Sequence, residues 1–561
     1  MTISHRIAGP LALTFSLVLA ACASVPPPNP AASSIQVDVP RVAHPAGETP
    51  AWWYRDGAAQ AAQRGAMSGR AKNVIVFLGD GMSLTTVAAA RILEGQRKGS
   101  SGEENRLSWE DFPATALSKT YNTDSQVPDS AGTMTAITTG VKSHMGAIGV
   151  AAGDKNNCAD SLDKHTQTWL ELADAAGLAT GIVTTARITH ATPAATYAHV
   201  PNRNWENDAT LPAQAVTEGC KDIALQLIEA TRAGRGPSVL LGGGRKEFLT
   251  TADSDSRLAD KHGLRRDGRN LIQEWQQAHP QGAYVETAAQ LAAHPNNTPV
   301  LGLFNYDHMQ FDVDRKADGA VEPSLADMTA AAIRQLSRHR EGYVLMVEGA
   351  RIDMASHDGN AFRALDETIA FSDAVRVAMD MTSTTDTLIL VTADHSHTLN
   401  FVGYPTRGNP ILGKVRGSNS FDGVPGKLAL DLAGLPYTTL NYANGAGNTG
   451  GTDAQPAGPK RYPHWPRQLV MPASGRPDLS NVDTTAVDYM QEALVPLNGE
   501  THGGEDVGVW ASGPGSHAVR GSLEQNALYH IIVQATPRLR AALCAKGACD
   551  GNGVPVNLPK P

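Results

Sequence analysis

The feature that most restricts this chain is a recurring unit. A short apolar run breaks at glycine or a polar residue and gives way to a helical stretch. Val74 to Leu78, in NVIVFLGDGM, is the first such run, and every one of its side chains is apolar. A run with no polar alternation belongs to a strand buried on both faces. It stops at Gly79-Asp80-Gly81, and an alanine-rich helical stretch follows from about Leu84. Comparable units begin at Gly177, Pro237, Gly342 and Asp386. Strands alternating with helices predict an α/β fold, with a large, mainly parallel central sheet flanked by helices on both faces. In such folds ligands collect beyond the carboxyl ends of the strands. Asp80, Glu348, Asp394 and His395 all stand at such ends, which predicts one shared site.

The surroundings of these units fix the class of protein. The chain has 561 residues and a formal net charge of −9, and an acidic balance excludes a general nucleic-acid binder. Near the N-terminus, LALTFSLVLAAC is too short to span a bilayer in the mature protein and reads as an export signal over residues 1–21. Leu19-Ala20-Ala21-Cys22 resembles the bacterial lipobox, so a lipid anchor on Cys22 is expected, with an ordinary secretory cut as the alternative. The expected location is the outer membrane, at its periplasmic face or the cell surface, or the periplasm. Residues 22–69 are rich in Pro and Ala and read as a tether, with Trp52, Trp53 and Tyr54 docking on the body that occupies residues 70–561.

Four further cysteines, Cys158, Cys220, Cys544 and Cys549, suit two disulfides in an oxidising compartment. Cys544 and Cys549 close a short loop and leave Cys158 with Cys220, one of the three connectivities that four cysteines allow. Between about residues 404 and 499, Gly, Pro, Asn and Ser dominate, which predicts an irregular inserted subdomain.

Chemistry-bearing residues recur at the strand ends. Ser130, in VPDSAGTMTAITTG, precedes a run of small residues that opens a helix; alone it reads as an N-cap in an Asp-Ser turn. Asp353 and His357 are four apart and share a helix face, a spacing that suits a carboxylate–imidazole metal chelate or a solvated ion pair. Asp394-His395 converge only if the chain turns there. Glu348 ends a very apolar strand and so needs a cation or strong hydrogen bonds. With Asp80 and His502 these residues supply two zinc-type sets and one oxygen-rich site.

The motifs VFLGDGM, VPDSAGT, ITHATPAATYAHVPNRNW, VEGARIDMASHDG, TADHSHT and ETHGGEDV resemble the hallmarks of alkaline phosphatases, in that family's order from about residue 70. Spacing near Arg203 and Cys220 is closer to the animal-type branch. The resemblance implies hydrolysis of phosphate monoesters with two zinc ions and one magnesium ion, and a homodimer. Ser130 matches the nucleophile that becomes phosphoserine, and Arg203 the phosphate-gripping arginine. Asp353, His357 and His502 match the first zinc's ligands, and Asp80, Asp394 and His395 the second's. Asp80, Thr192 and Glu348 match those of magnesium. His190 matches a nearby supporting position, with His397 as another. Met354 stands where many members carry Lys or His, which predicts a less polar surround. Asn305 and Glu322 stand at a peripheral calcium position of the animal-type branch; Asn305 is neutral where a carboxylate is expected, so no calcium is assigned. The alternatives are a phosphodiesterase or sulfatase of the same fold, which Thr192, Glu348 and Arg203 disfavour, and a non-enzymatic phosphate- or metal-binding surface lipoprotein.

Overall fold

The computed structural model describes residues 35–559 apart from 152, 154–155, 233–235, 320, 418–425, 454, 456–457, 468 and 472–475. The export leader and Cys22 lie outside the described residues. Ten strands form the central sheet. They are β1 (Asn73–Gly79), β2 (Ala114–Lys119), β3 (Ala179–Arg187), β4 (Val239–Gly243), β5 (Ala283–Val285), β6 (Val300–Leu303), β7 (Tyr343–Gly349), β8 (Thr387–Thr392), β9 (Val507–Ser512) and β10 (Gly521–Glu524). Their order across the sheet is β10-β2-β9-β8-β1-β7-β3-β4-β6-β5. Neighbours run parallel except at β9, which is antiparallel to both β2 and β8.

The apolar runs behave as their composition dictates. Along β1, Val74, Val76 and Leu78 enter one core layer, while Ile75 and Phe77 enter the other. Neither face meets water, so there is no polar alternation to see in the sequence. The helices that cover the sheet include α1 (Pro50–Gln63), α2 (Leu84–Arg97), α3 (Ser130–Thr139), α4 (Arg351–His357), α5 (Ala361–Met381) and α6 (Ala527–Ala535). Phe371 and Val375 of α5 and Val87 and Ile92 of α2 fill one layer. Leu528, Ile531 and Ile532 of α6 fill the other.

One boundary differs from the sequence expectation. The segment read as a tether through residue 69 contains α1, and Trp53 and Tyr54 on it are buried. Thr49 caps α1 by accepting from the Trp52 amide, and Pro50 takes the first helical position, where a missing N–H costs nothing. The side-chain amides of Asn526 and Gln534 donate to the carbonyls of Trp53 (2.7 Å) and Ala58 (2.9 Å), stitching α1 to the start and end of α6. A Cβ at Gly57 would lie 2.6 Å from the His530 ring, so this contact requires glycine. Upstream, Ile35 and Val37 pack with Val554 and Val556. The alanines of this segment make a slim helix that fits closely.

Four adjacent central strands, β8-β1-β7-β3, deliver their carboxyl ends to one place. After β8 the chain leaves the sheet and returns at β9. In between, Leu399–Phe401, Leu440–Gly445 and Ala493–Pro496 form a small three-stranded sheet, and Gly451–Thr452 pairs with Leu469–Met471. His502 pairs with His397 in a two-stranded ladder, which brings the end of this excursion back to the strand ends. Cys158 is bonded to Cys220 and Cys544 to Cys549. No helix among the described residues is long and apolar enough to cross a membrane.

Candidate active site

Ser130 is not the cap of its helix. Asp129 is: its Oδ1 accepts from the Gly132 amide at 3.1 Å and also from the Gly146 amide and Asn122 Nδ2, each at 3.1 Å. Ser130 therefore takes the first helical position, buried, with its hydroxyl released from capping work. Its Oγ lies 3.1 Å from His395 Nε2. A Cβ at Gly132 would lie 2.6 Å from the Asn122 amide, so glycine two residues after the serine is required by close approach. The second oxygen of Asp129 accepts from Arg203 Nη1 at 3.1 Å. Burial opposes the Asp129 charge, but Arg203 and the two amides hold its carboxyl below the usual range.

A first group of ligand atoms gathers around Asp353. His357, His397 and His502 lie with it, their ligand atoms all within 4.8 Å of one another. Asp353 Oδ1 is 2.7 Å from His397 Nε2, 3.3 Å from His357 Nε2 and 3.4 Å from His502 Nε2. His357 Nδ1 meets the Glu500 carbonyl at 2.6 Å, and His502 Nδ1 meets the Pro128 carbonyl at 2.7 Å. A carbonyl only accepts, so both Nδ1 atoms carry the proton and both Nε2 atoms present lone pairs in the neutral rings. A proton or a metal ion must lie between them. Burial opposes the Asp353 charge, yet the three imidazoles keep its carboxyl well below the usual range.

Next to it, Asp80, Asp394 and His395 converge. His395 Nε2 is 3.3 Å from Asp80 Oδ1 and 3.3 Å from Asp394 Oδ2. All three are fully buried. Burial, followed by the charges of Asp394, Asp353 and Glu348, pushes the Asp80 carboxyl well above its usual range; burial likewise raises Asp394 and depresses His395. Buried carboxylates this close need a multivalent cation to stay ionised. Gly81, at φ +67°, permits the turn after β1, and a Cβ there would lie 2.3 Å from the His397 ring.

Asp80 reaches a third group. Thr192 Oγ1 donates to Asp80 Oδ2 at 3.4 Å, and Thr184 Oγ1 donates to Glu348 Oε2 at 2.5 Å. Burial pushes the Glu348 carboxyl up to about 8. Asp80 Oδ1 and Glu348 Oε1 have no hydrogen-bond partner, and orphaned buried oxygens are what a hard cation would take up. His190 stands beside this pair, so one nitrogen joins the oxygen set. His190 Nε2 faces Arg203 Nη2 at 3.2 Å. Burial and then Arg203 and His308 keep the His190 ring well below its usual range. A neutral ring accepts from Arg203 and fixes its orientation.

The structure thus brings together Ser130, Arg203, His190, Thr192 and the expected metal-type residues. Sequence reasoning placed His397 only beside the site and missed its partner Glu500. His397 stands within the Asp353 group, and Glu500 Oε2 holds His397 Nδ1 at 2.5 Å. Burial opposes protonation of His397, but Glu500 and Asp353 push it up to about 10. Glu500 is two residues before His502, and nothing local marks its role. Near Met354 the surround is not purely apolar, because Arg351 Nη1 donates to Met354 Sδ at 2.8 Å. The peripheral position is filled by protein donors. Asn305 Nδ2 and the Gln310 amide donate to the two oxygens of Glu322, and Arg257 Nη1 donates to the Phe304 carbonyl at 3.1 Å.

Residues 71–537 match the sequence profile of the family described as alkaline phosphatase. The tissue-nonspecific alkaline phosphatase isozyme of Gallus gallus is 40% identical over 501 residues, covering 87% of this chain and 89% of its own length. The alkaline phosphatase of Gadus morhua is 42% identical over 474 residues, covering 83% and 92%. Among solved structures, the alkaline phosphatase of Thermus thermophilus aligns with a TM-score of 0.57 at 22% identity, covering 85% of this chain and 96% of that one. The enzyme of the Antarctic bacterium TAB5 aligns at 0.51 and 22% identity, covering 84% and 98%. The bacterial structures share the fold, while the animal sequences are nearer in sequence.

Proposed function

The chain belongs to the alkaline phosphatase family, and on that premise we propose that it hydrolyses phosphate monoesters through a phosphoserine at Ser130. One observation carries this reading: Asp129 performs the capping, which leaves the Ser130 hydroxyl 3.1 Å from His395 Nε2 and beside the buried carboxylates. Asp353, His357 and His502 would hold one zinc ion, and Asp80, Asp394 and His395 a second. Asp80, Thr192 and Glu348 would hold magnesium. Bound there, these ions would supply Lewis acidity that lowers the pKa of the serine hydroxyl and stabilises charge on the departing oxygen.

The chain's own residues do the rest. Arg203, anchored by Asp129 and His190, presents its planar fork to two phosphate oxygens. The positive end of α3 favours the same anion. Ser130 Oγ attacks phosphorus, the alcohol leaves, and water then cleaves the phosphoserine to inorganic phosphate. Positioning and electrostatics dominate such a reaction.

Ser130→Ala is expected to abolish phosphate incorporation into the protein and to lower turnover by about a thousandfold or more, with metal content unchanged. Near-full activity in that variant, with phosphoserine still trapped, would overturn the assignment.

We further infer export, supported by the leader and by two disulfides that suit an oxidising compartment. A diacylglyceryl mass on Cys22 is the expected result of N-terminal mass spectrometry, and a cut elsewhere rejects the anchor. The small three-stranded sheet exposes Phe401 on one outer strand and Leu494 and Val495 on the other, apolar surface that supports a homodimer through the inserted region. Light scattering of a chain lacking that region should give a monomer; an unchanged dimer counts against it.

A further inference from the structure

We infer that Gln525 is a positioning residue for the second metal pair: its side-chain amide holds the turn that carries Asp394 and His395. This rests on the reading of those two residues as metal ligands beside the Ser130 nucleophile. The pairing of β8 with both β1 and β9 ends at Thr392, and the next ladder begins at Ser396. Ala393, Asp394 and His395 therefore lie in a gap between ladders, where no strand partner fixes their backbone. Into that gap Gln525 Nε2 donates to the Asp394 carbonyl at 2.7 Å, from 131 positions away.

The bond is made at a cost. Gln525 is buried, and its Oε1 has no hydrogen-bond partner. A buried amide with an orphaned oxygen is destabilising, and an apolar side chain of the same length would avoid that penalty. A carbonyl only accepts, so it is the NH2 end of the amide that faces Asp394. The use of the amide at this position is the one bond it donates.

The donor is itself held against the nucleophile helix. Asn526 occupies the cap position of α6, yet its side chain makes no capping bond. Its Nδ2 donates instead to the carbonyls of Gly140 at 3.2 Å and Trp53 at 2.7 Å. Gly140 ends α3, a buried ten-residue helix about 15 Å long whose first residue is Ser130. Two consecutive amides thus tie the far end of the nucleophile helix and the Asp394–His395 turn to one point of the chain. Ser130 Oγ lies 3.1 Å from His395 Nε2, and any shift of that turn relative to α3 changes this distance directly.

Gln534 supplies the control. It is also buried, donates to the Ala58 carbonyl at 2.9 Å and leaves its own Oε1 without a partner, but its bond ties down α1 and touches no candidate ligand. Zinc titration of the metal-free protein should show one ion bound about 10-fold or more weakly in Gln525→Met, which keeps the shape and loses the donor. Gln525→Asn, too short to reach the carbonyl, should behave alike. Gln534→Met loses the same kind of bond and should lower the melting temperature as much as Gln525→Met does. Its zinc midpoints should nonetheless stay within about twofold of the wild type. Unmoved midpoints in both Gln525 variants, or an equal shift in Gln534→Met, overturn the proposal. Failure of both Gln525 variants to fold while Gln534→Met folds overturns it too, because the bond is then purely structural. If the wild type binds zinc but leaves 4-nitrophenyl phosphate intact, the monoesterase reading falls and the midpoints still decide the role of Gln525.

Discussion

His357 and His502 face each other nitrogen to nitrogen, their Nε2 atoms 3.1 Å apart, while each Nδ1 is tied to a backbone carbonyl. The carbonyls fix the tautomers, so both inward nitrogens are bare unless something positive sits between them. The Asp353 carboxylate completes that setting. The same logic repeats at His395, whose Nε2 meets two carboxylates and the Ser130 oxygen.

Chelation is therefore expected to abolish phosphatase activity and lower the melting temperature, because a ligand bound only by the folded state stabilises it. Zinc should restore both. His502→Ala should lose about one zinc per chain by metal analysis and about a thousandfold in turnover. Full zinc content in that variant would remove His502 from the ligand set.

Asp129 does two jobs that substitution can separate. Asp129→Asn keeps a capping oxygen for Gly132 but loses the charge that anchors Arg203. It should raise KM for a phosphate monoester about 10-fold with little change in stability. Asp129→Ala should show the same kinetic loss and a further cost of about 1 kcal/mol in urea unfolding from the missing cap. Equal stability of the two variants would mean that the cap contributes nothing.

Glu500 should tune metal binding without touching substrate. It grips His397 Nδ1 and also accepts from the Thr398 amide and hydroxyl. Such partners hold a ring in orientation, and their loss commonly weakens metal affinity about 10- to 100-fold. Zinc titration of apo Glu500→Gln should shift by that amount, and kcat should recover at saturating zinc. An unmoved midpoint argues against the role.

His530 makes acid stability measurable away from the candidate metal ligands. Its ring is fully buried against Tyr54, centroids 4.5 Å apart, and burial depresses its pKa to about 3 from the ordinary 6.5. Between those values the unfolded chain takes up a proton that the folded chain refuses. Stability therefore rises with pH across that window and is lost as pH falls below 6.5. The slope from this one group is up to about 1.4 kcal/mol per pH unit. His530→Gln should flatten the wild-type curve between about pH 5 and 6.5; parallel curves would show that other groups carry the acid sensitivity.

What the sequence determined by itself was local. An apolar run such as Val74 to Leu78 has no face that tolerates water, so it must become a doubly buried strand. Asp353 and His357, four apart, share a helix face whatever surrounds them. The six ordered motifs named the family and pointed to the candidate site residues. The tertiary structure decided which of them meet. Asp129 rather than Ser130 caps α3, which nothing in the Asp-Ser pair reveals, since either side chain can cap. Arg203 finds Asp129 from 74 positions away, and Glu500 finds His397 from 103. The segment before residue 70 looked like a tether until α6 supplied a surface for α1. Patterns of period two or 3.6 are written into neighbouring residues, whereas through-space pairing depends on the strand order β8-β1-β7-β3, and strand order is set by how the whole core packs.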